Sequence, residues 1–293
     1  MSLTFENIIS KAEEKAKSTG PRKLVLIGGG DGNAAAAVDA AADRGWIEPI
    51  SAVVDNGNHY QNDKVVKAKN FSDLVQKSVK AASEQGALLM KGDIDEQVLL
   101  GALLNEDSGF LLPRKQVSHI GFFQPEKLGR MLLVTDGVVV ENPTLEVKLA
   151  MVQNSIAAAE ALGLEKPKVA LLSAVEAVYL QMQPGLDGAV LAKMSDRGVF
   201  KGAVVDGPLS FDVALVPEAA QAKKVKGEVA GYADILVTPY IEVGNGLCKS
   251  LFMFCNSPSA GILYGGKIPL CYNFRLESAD SHLNSIAIGM MLG

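Results

Sequence analysis

The chain has 293 residues, 48% of them apolar, and a formal net charge of -5 from 28 basic against 33 acidic residues. That length supplies one large or two moderate cores, and an acidic balance without a dense Lys/Arg run argues against nucleic acid as a partner. Three cysteines, Cys248, Cys255 and Cys271, lack C-x-x-C spacing, which points away from a disulfide framework or structural zinc and towards a cytoplasmic location.

Near the N-terminus, Phe5, Ile8, Ile9 and Ala12 recur at helical spacing in a charged, amphipathic stretch with no long apolar h-region. Residues 23–27 then read as a buried strand running into glycines, 33–43 as an Ala-rich helix, and 50–54 as a second strand closed by a turn at 55–57. A helix over 71–85, a strand over 87–90 and a helix over 96–104 follow. Further along, strands are predicted at 117–123, 132–135, 169–172, 203–206, 235–237, 261–263 and 269–272, and helices at 145–162, 186–196 and 280–291. No segment reaches about 18 uninterrupted apolar residues, so no membrane span is expected. This βα alternation predicts an α/β fold: two lobes of mostly parallel, doubly wound sheet, with an active-site cleft between the lobes.

Several strand ends carry polar clusters. Gly28, Gly29, Gly30 and Gly32 open a helix but break the dinucleotide pattern, since Asn33 stands where a glycine is needed and Asp31 would repel a pyrophosphate. A tight turn with Asp31 or Asn33 as helix cap is the better reading. Lys91, beside Gly92, is placed either to meet a phosphate or carbonyl oxygen or to be a surface lysine at a turn. Ser118 and His119 are adjacent in a strand and point to opposite faces, so they are not a nucleophile and its base. His119 is expected to shape a pocket wall or satisfy a hydrogen bond, while His59 and His282 read as solvated. Asp206 and Asp212 lie six residues apart around Gly207 and Pro208, and serve either as a base and its partner or as turn and helix caps. Gly244, Asn245 and Gly246, with Lys249 one helical turn on, suit a ligand approaching the backbone or a helix start. Cys248 and Cys255 read as core or near-core thiols.

The segments VDGPLSFD at 205–212, GYADILVTPYIEVGN at 231–245, Lys249, and GGKIPL at 265–270 ahead of Arg275 carry a resemblance that extends to LMKG at 89–92, Ser118, His119, Thr135, Asp136, 167–176 and 285–287. In this order they resemble the phosphate acetyltransferase and phosphate butyryltransferase family, closest to its butyryl branch. The resemblance implies reversible transfer of a short acyl group from coenzyme A to inorganic phosphate, in a cytoplasmic homodimer or higher homo-oligomer, with coenzyme A as substrate and no cofactor or metal. It implies a discontinuous first domain, 1–130 plus 276–293, and an inserted second domain, 131–275. Arg275 is assigned to phosphate, Lys249 and Asn245 to the carbonyl or a second phosphate contact, and Asp206 or Glu277 to positioning and proton management. Lys91, Gly92, Ser118, His119, Thr135, Asp136 and Gly244 complete the implied substrate contacts.

Three positions depart from the family pattern. Its Ser-Arg pair aligns with Phe274 and Arg275, its Asp with Glu277, and a usual Asn with Val140. A lost hydroxyl donor costs roughly 3 to 4 kcal/mol in a transition state, so a non-catalytic or altered-specificity homologue that binds coenzyme A or an acyl phosphate is the alternative. A dehydrogenase of related architecture is disfavoured by the broken glycine pattern.

Overall fold

A computed structural model describes residues 3–30, 32–54 and 64–293; the expectations for Asp31, the turn at 55–57 and His59 lie outside them. In chain order the first elements are α1 (Phe5–Thr19), β1 (Arg22–Ile27), α2 (Gly32–Asp43), β2 (Ile47–Val54), β3 (Val65–Ala68), α3 (Phe71–Gln85), β4 (Leu88–Lys91) and α4 (Glu96–Leu103). Then come β5 (Ser118–Phe123), β6 (Leu132–Thr135), α5 (Leu145–Ala161), β7 (Lys168–Leu172), α6 (Gln183–Asp196), β8 (Val204–Leu209), α7 (Phe211–Leu215), α8 (Pro217–Ala222), β9 (Ile235–Val237) and α9 (Ile241–Phe254). The chain closes with β10 (Ser259–Tyr264), β11 (Leu270–Cys271) and α10 (Ala279–Leu292).

These elements pack as two compact units, one of Thr4–Val117 with Pro258–Gly293, the other of Leu3 with Ser118–Ser257. The joints thus fall at 117/118 and 257/258, rather than near Arg130 and Arg275. Strand pairing explains both shifts. β5 pairs antiparallel with β6, Gly121 facing Val134, which takes 118–123 into the later unit. β11 pairs parallel with β4 and antiparallel with β10, which returns residues from 259 onward to the earlier one.

In the Thr4–Val117 and Pro258–Gly293 unit the strand order is β3-β2-β1-β4-β11-β10. Pairing is parallel from β3 through β11, and the last four residues of β1 and all of β4 are buried, as expected of apolar runs covered on both faces. The path β1-α2-β2 steps outward, and β3-α3-β4 steps back past β1. Right-handed crossovers therefore place α2 and α3 on opposite faces, and the order reverses between β1 and β4, where an open α/β sheet leaves a crevice at its carboxyl ends. Every residue of α10 from Ser281 to Met290 is buried. His282, expected in solvent, is accordingly buried with Nδ1 2.9 Å from the Ser278 carbonyl. The last turn of α10 meets cations, Lys15 Nζ donating to the Met290 carbonyl at 2.8 Å and Arg22 Nη1 to that of Gly289 at 3.5 Å, which complements the negative end of the helix dipole.

In the Ser118–Ser257 unit the order is β5-β6-β9-β7-β8, parallel except for β5. β8 is the edge strand, and it runs through Gly207 and Pro208, the bond between them being cis. An edge is where a sheet tolerates proline. Gly188 of α6 lies against Pro208, so close that a Cβ there would sit 3.0 Å from the proline backbone. Among the described residues no helix is long and apolar enough to cross a membrane.

Candidate functional site

The loops after β1 and β4 interlock. Gly28 and Gly29 have φ of 90° and 80°, conformations that favour glycine. The Gly92 amide donates to the Ile27 carbonyl at 2.9 Å, and a Cβ on Gly92 would lie 1.8 Å from the Gly29 carbonyl oxygen. The glycines are thus explained by backbone packing, in keeping with a tight turn. Asn33 reaches away from its helix, Nδ2 donating to the Glu277 carbonyl at 3.0 Å, so it is not the cap. Lys91 at the end of β4 is 9% exposed, with Nζ 5.9 Å from the centre of the Tyr272 ring. It is not a surface lysine.

Residues 273–277 of the same unit form a turn locked from inside. Both carboxylate oxygens of Glu277 are engaged, one by the Ser259 hydroxyl at 2.5 Å, the other by the Phe274 amide at 2.6 Å and Asn273 Nδ2 at 3.3 Å. Burial pushes this carboxyl above its ordinary range, opposed by those three donors. Glu277 therefore positions the turn rather than meeting solvent. The Phe274 ring is buried, Ser278 is committed as N-cap of α10, and Asn273 Oδ1 is buried with no hydrogen-bond partner among the described residues. Arg275 is held outward and exposed. The arginine ion pairs among the described residues are those of Arg44 and Arg130, and Arg275 forms none.

In the Ser118–Ser257 unit, the loop after β6 folds around its own carboxylate. Asp136, joined to Thr135 by a cis bond, accepts the amides of His119 at 2.5 Å, Val138 at 2.6 Å and Val139 at 2.8 Å. Burial raises this carboxyl and the amide donors oppose the rise. The loop is pinned to α9: Thr238 Oγ1 donates to the Asp136 carbonyl at 2.9 Å, and Asn245 Nδ2 to that of Gly137 at 2.9 Å. A Cβ on Gly244 would stand 1.9 Å from the Asp136 carbonyl oxygen. Gly244 and Asn245 are thus placed by loop-to-helix packing, and Lys249 stands exposed one turn beyond. Ser118 accepts from Asn154 Nδ2 at 2.9 Å, and the hydroxyl of Thr135 is fully buried. Burial depresses His119 to about 3, which keeps the ring neutral.

Asp206 is not at a strand end. β8 continues three residues past it, so the carboxylate sits on the amino half of the strand opposite Ala170, accepting from the Gly207 amide at 2.8 Å. Burial raises its pKa. What stands at the end of β8 is a cluster that sequence reasoning missed. The Ser210 hydroxyl donates to Glu176 Oε1 and lies 2.5 Å from Asp212 Oδ1, while Lys223 Nζ reaches Ser210 at 3.0 Å and Glu176 at 3.2 Å. Because β7 and β8 are parallel neighbours, residues just beyond both ends converge, and that was the available signal. Cys255, expected near the core, caps α9 and is exposed; Cys248 and Cys271 are buried, Cys271 being pushed up to about 12 by burial.

A family profile described as phosphate acetyl/butaryl transferase matches residues 110–290. The chain is 37% identical to a phosphate butyryltransferase from Clostridium acetobutylicum, covering 97% of this chain and 89% of the relative. It is 39% identical to a probable phosphate butyryltransferase from Bacillus subtilis, over 78% and 76% of the two. Its fold is similar to that of a branched-chain phosphotransacylase from Enterococcus faecalis, with a TM-score of 0.80 and 29% identity, covering 92% of this chain and 98% of the other. A phosphotransacetylase from Streptococcus pyogenes, at 18% identity, shares the fold with a TM-score of 0.76 over 99% of both chains. Through these likenesses, which run along nearly its whole length, the chain belongs to the phosphate acetyl/butyryl transferase family.

Proposed function

We propose that the protein transfers a short-chain acyl group, reversibly, from coenzyme A to inorganic phosphate. A phosphate oxygen attacks the thioester carbonyl carbon and the carbon–sulfur bond breaks. The sulfur leaves with the bonding electrons and takes up the proton that phosphate gives up. The observation that carries this reading is Arg275: an exposed guanidinium without an ion pair among the described residues, held on a turn braced by buried Glu277. A planar fork of donors suits a phosphate. Lys91 contributes a second positive charge, and Lys249 is the cation presented by α9. Asp206, on the amino half of its strand, is left out of the chemistry.

Direct attack by phosphate needs no tightly held cofactor, and the absence of one is part of the proposal. So are the cytoplasmic location and the homodimer that the family resemblance implies; light scattering on the purified protein tests the dimer. Mixing the protein with phosphate and acetyl-, propionyl-, butyryl- or isobutyryl-CoA while following free thiol tests the reaction itself. Phosphate-dependent release is expected, and release that ignores phosphate would refute it. Arg275→Ala should raise the KM for phosphate at least tenfold and leave that for acyl-CoA within about threefold, since a charged hydrogen bond is worth about 1.5 to 3 kcal/mol. Equal loss towards both substrates would remove Arg275 from the phosphate role.

A further inference from the structure

A cavity of about 630 Å³ opens in the Ser118–Ser257 unit where β7, β8 and β9 end. Its wall is built from Leu172, Met182, Phe211, Tyr240, Val243 and Leu247, and among the described residues no charged side chain lines it. The polar side chains that reach it, Ser173, Gln181 and Gln183, are neutral. On α9, Val243 and Leu247 are four residues apart and share a face, next to the stripe of Gly244, Cys248 and Leu251 that is buried in the core. The cavity carries the apolar side of the helix out to the surface. Phe211 and Val243 remain 46% and 43% exposed, and the segment leading to Met182 exposes Val178, Tyr179 and Leu180. Half-exposed apolar side chains around an apolar cavity mark a place where something binds.

The wall is braced from behind. Lys148 Nζ and Asp187 Oδ2 form a buried ion pair at 2.6 Å, Gln183 Nε2 donates to Asp187 Oδ1 at 2.7 Å, and Lys148 Nζ lies 5.6 Å from the centre of the Tyr240 ring. Two lining residues are thus held by groups that never reach the cavity. Rigid, apolar walls with a few fixed polar groups are what a small-molecule site requires.

We propose that this cavity takes the uncharged acyl-pantetheine part of the coenzyme A thioester; the proposal rests on the acyl-transfer reading above. The two ends of that substrate differ in chemistry. Its adenosine end carries phosphates that call for cations, and the wall offers none. Its thioester end is hydrocarbon interrupted by two amides, which matches an apolar wall carrying glutamine and serine. The volume lies within the roughly 300 to 1,000 Å³ of small-molecule pockets, more than a short acyl group alone would fill.

Calorimetry with S-butyryl-pantetheine and, separately, adenosine 3′,5′-bisphosphate tests the assignment on the full chain and on Val243→Trp, whose indole would occupy the cavity from a half-exposed helix position. The variant should bind S-butyryl-pantetheine at least tenfold more weakly and the bisphosphate within twofold of the parent. Its KM for butyryl-CoA should rise at least tenfold with that for phosphate within twofold. Met182→Ala, which removes wall without filling space, should weaken S-butyryl-pantetheine about threefold or more and serves if the tryptophan variant does not fold. Unchanged S-butyryl-pantetheine binding in both variants overturns the proposal, as does loss of the bisphosphate alone. If the parent shows no phosphate-dependent thiol release yet Val243→Trp still loses S-butyryl-pantetheine, the cavity assignment stands and the reaction falls. If release proceeds and the variant keeps its KM for butyryl-CoA, the reaction stands and the cavity assignment falls.

Discussion

Phe274 stands where the family resemblance implies a serine, and its ring is buried while its amide is spent on Glu277. Restoring the hydroxyl therefore does not restore a donor facing solvent. Phe274→Ser should cost about 3 kcal/mol or more, as large-to-small changes of buried aromatics do, and should lower turnover in the thiol-release assay rather than raise it. His119 gives a pH signature. The unfolded ring titrates near 6.5 and the native one near 3 because of burial, so above pH 6.5 both states are neutral and stability is complete. Below it the unfolded chain takes up a proton that the folded one refuses, and stability falls by up to about 1.4 kcal/mol per pH unit until the native pKa is reached. Chemical denaturation at pH 7 and pH 5 should show a larger loss for the parent than for His119→Asn; the same loss in both would mean that the ring is not held neutral.

At the scale of elements, glycines separate packing from propensity. Gly244 and Gly246 lie in the same helix, but a Cβ meets the Asp136 carbonyl oxygen at 1.9 Å in the first case and nothing within 4 Å in the second. Gly244→Ala should destabilise by about 3 kcal/mol, and Gly246→Ala should stabilise by up to about 1 kcal/mol, both read from thermal or urea unfolding. The elements themselves were legible in the sequence wherever an apolar run or a 3.6-residue period was long enough: β1, β4, β6, β7 and β9 lie where their aliphatic runs predicted. Asp206 was misplaced because Gly207 and Pro208 read as a turn, whereas an edge strand accommodates them. The solvated reading of His282 failed because α10 is enclosed on every side, so no polar stripe marks an outer face. Gly244 and Asn245 pack against the carbonyls of Asp136 and Gly137, and a glycine that admits a ligand and one that admits a carbonyl oxygen of its own chain look alike in sequence.

Over the whole molecule, one unit is assembled from two stretches of chain separated by the other. Residues from 258 onward supply β10, β11 and α10 to it, and α10 packs on α1, α2 and β10. Truncation before Ala279 should therefore unprotect amides in β1 and α2 to hydrogen exchange while leaving those of β7 and β9 slow. Equal protection in the two sets would show that α10 is dispensable. The joints of the compact units lie about a dozen residues or more from Arg130 and Arg275, and no proline- or glycine-rich linker marks them; the pairing of β5 with β6 and of β11 with β4 decides where each strand belongs.

That same pairing sets a schedule for synthesis. β4 is an apolar strand, and its parallel neighbour β11 lies nearly two hundred residues downstream. At about 5 to 20 residues per second, a ribosome leaves the β4 edge open for on the order of ten seconds or more, while the intervening unit has all its strands before the earlier one does. An open apolar edge is a template for pairing with another chain. The nascent protein is thus most exposed to misassembly, and most in need of a chaperone, in the interval after Lys91 emerges and before Leu270 does.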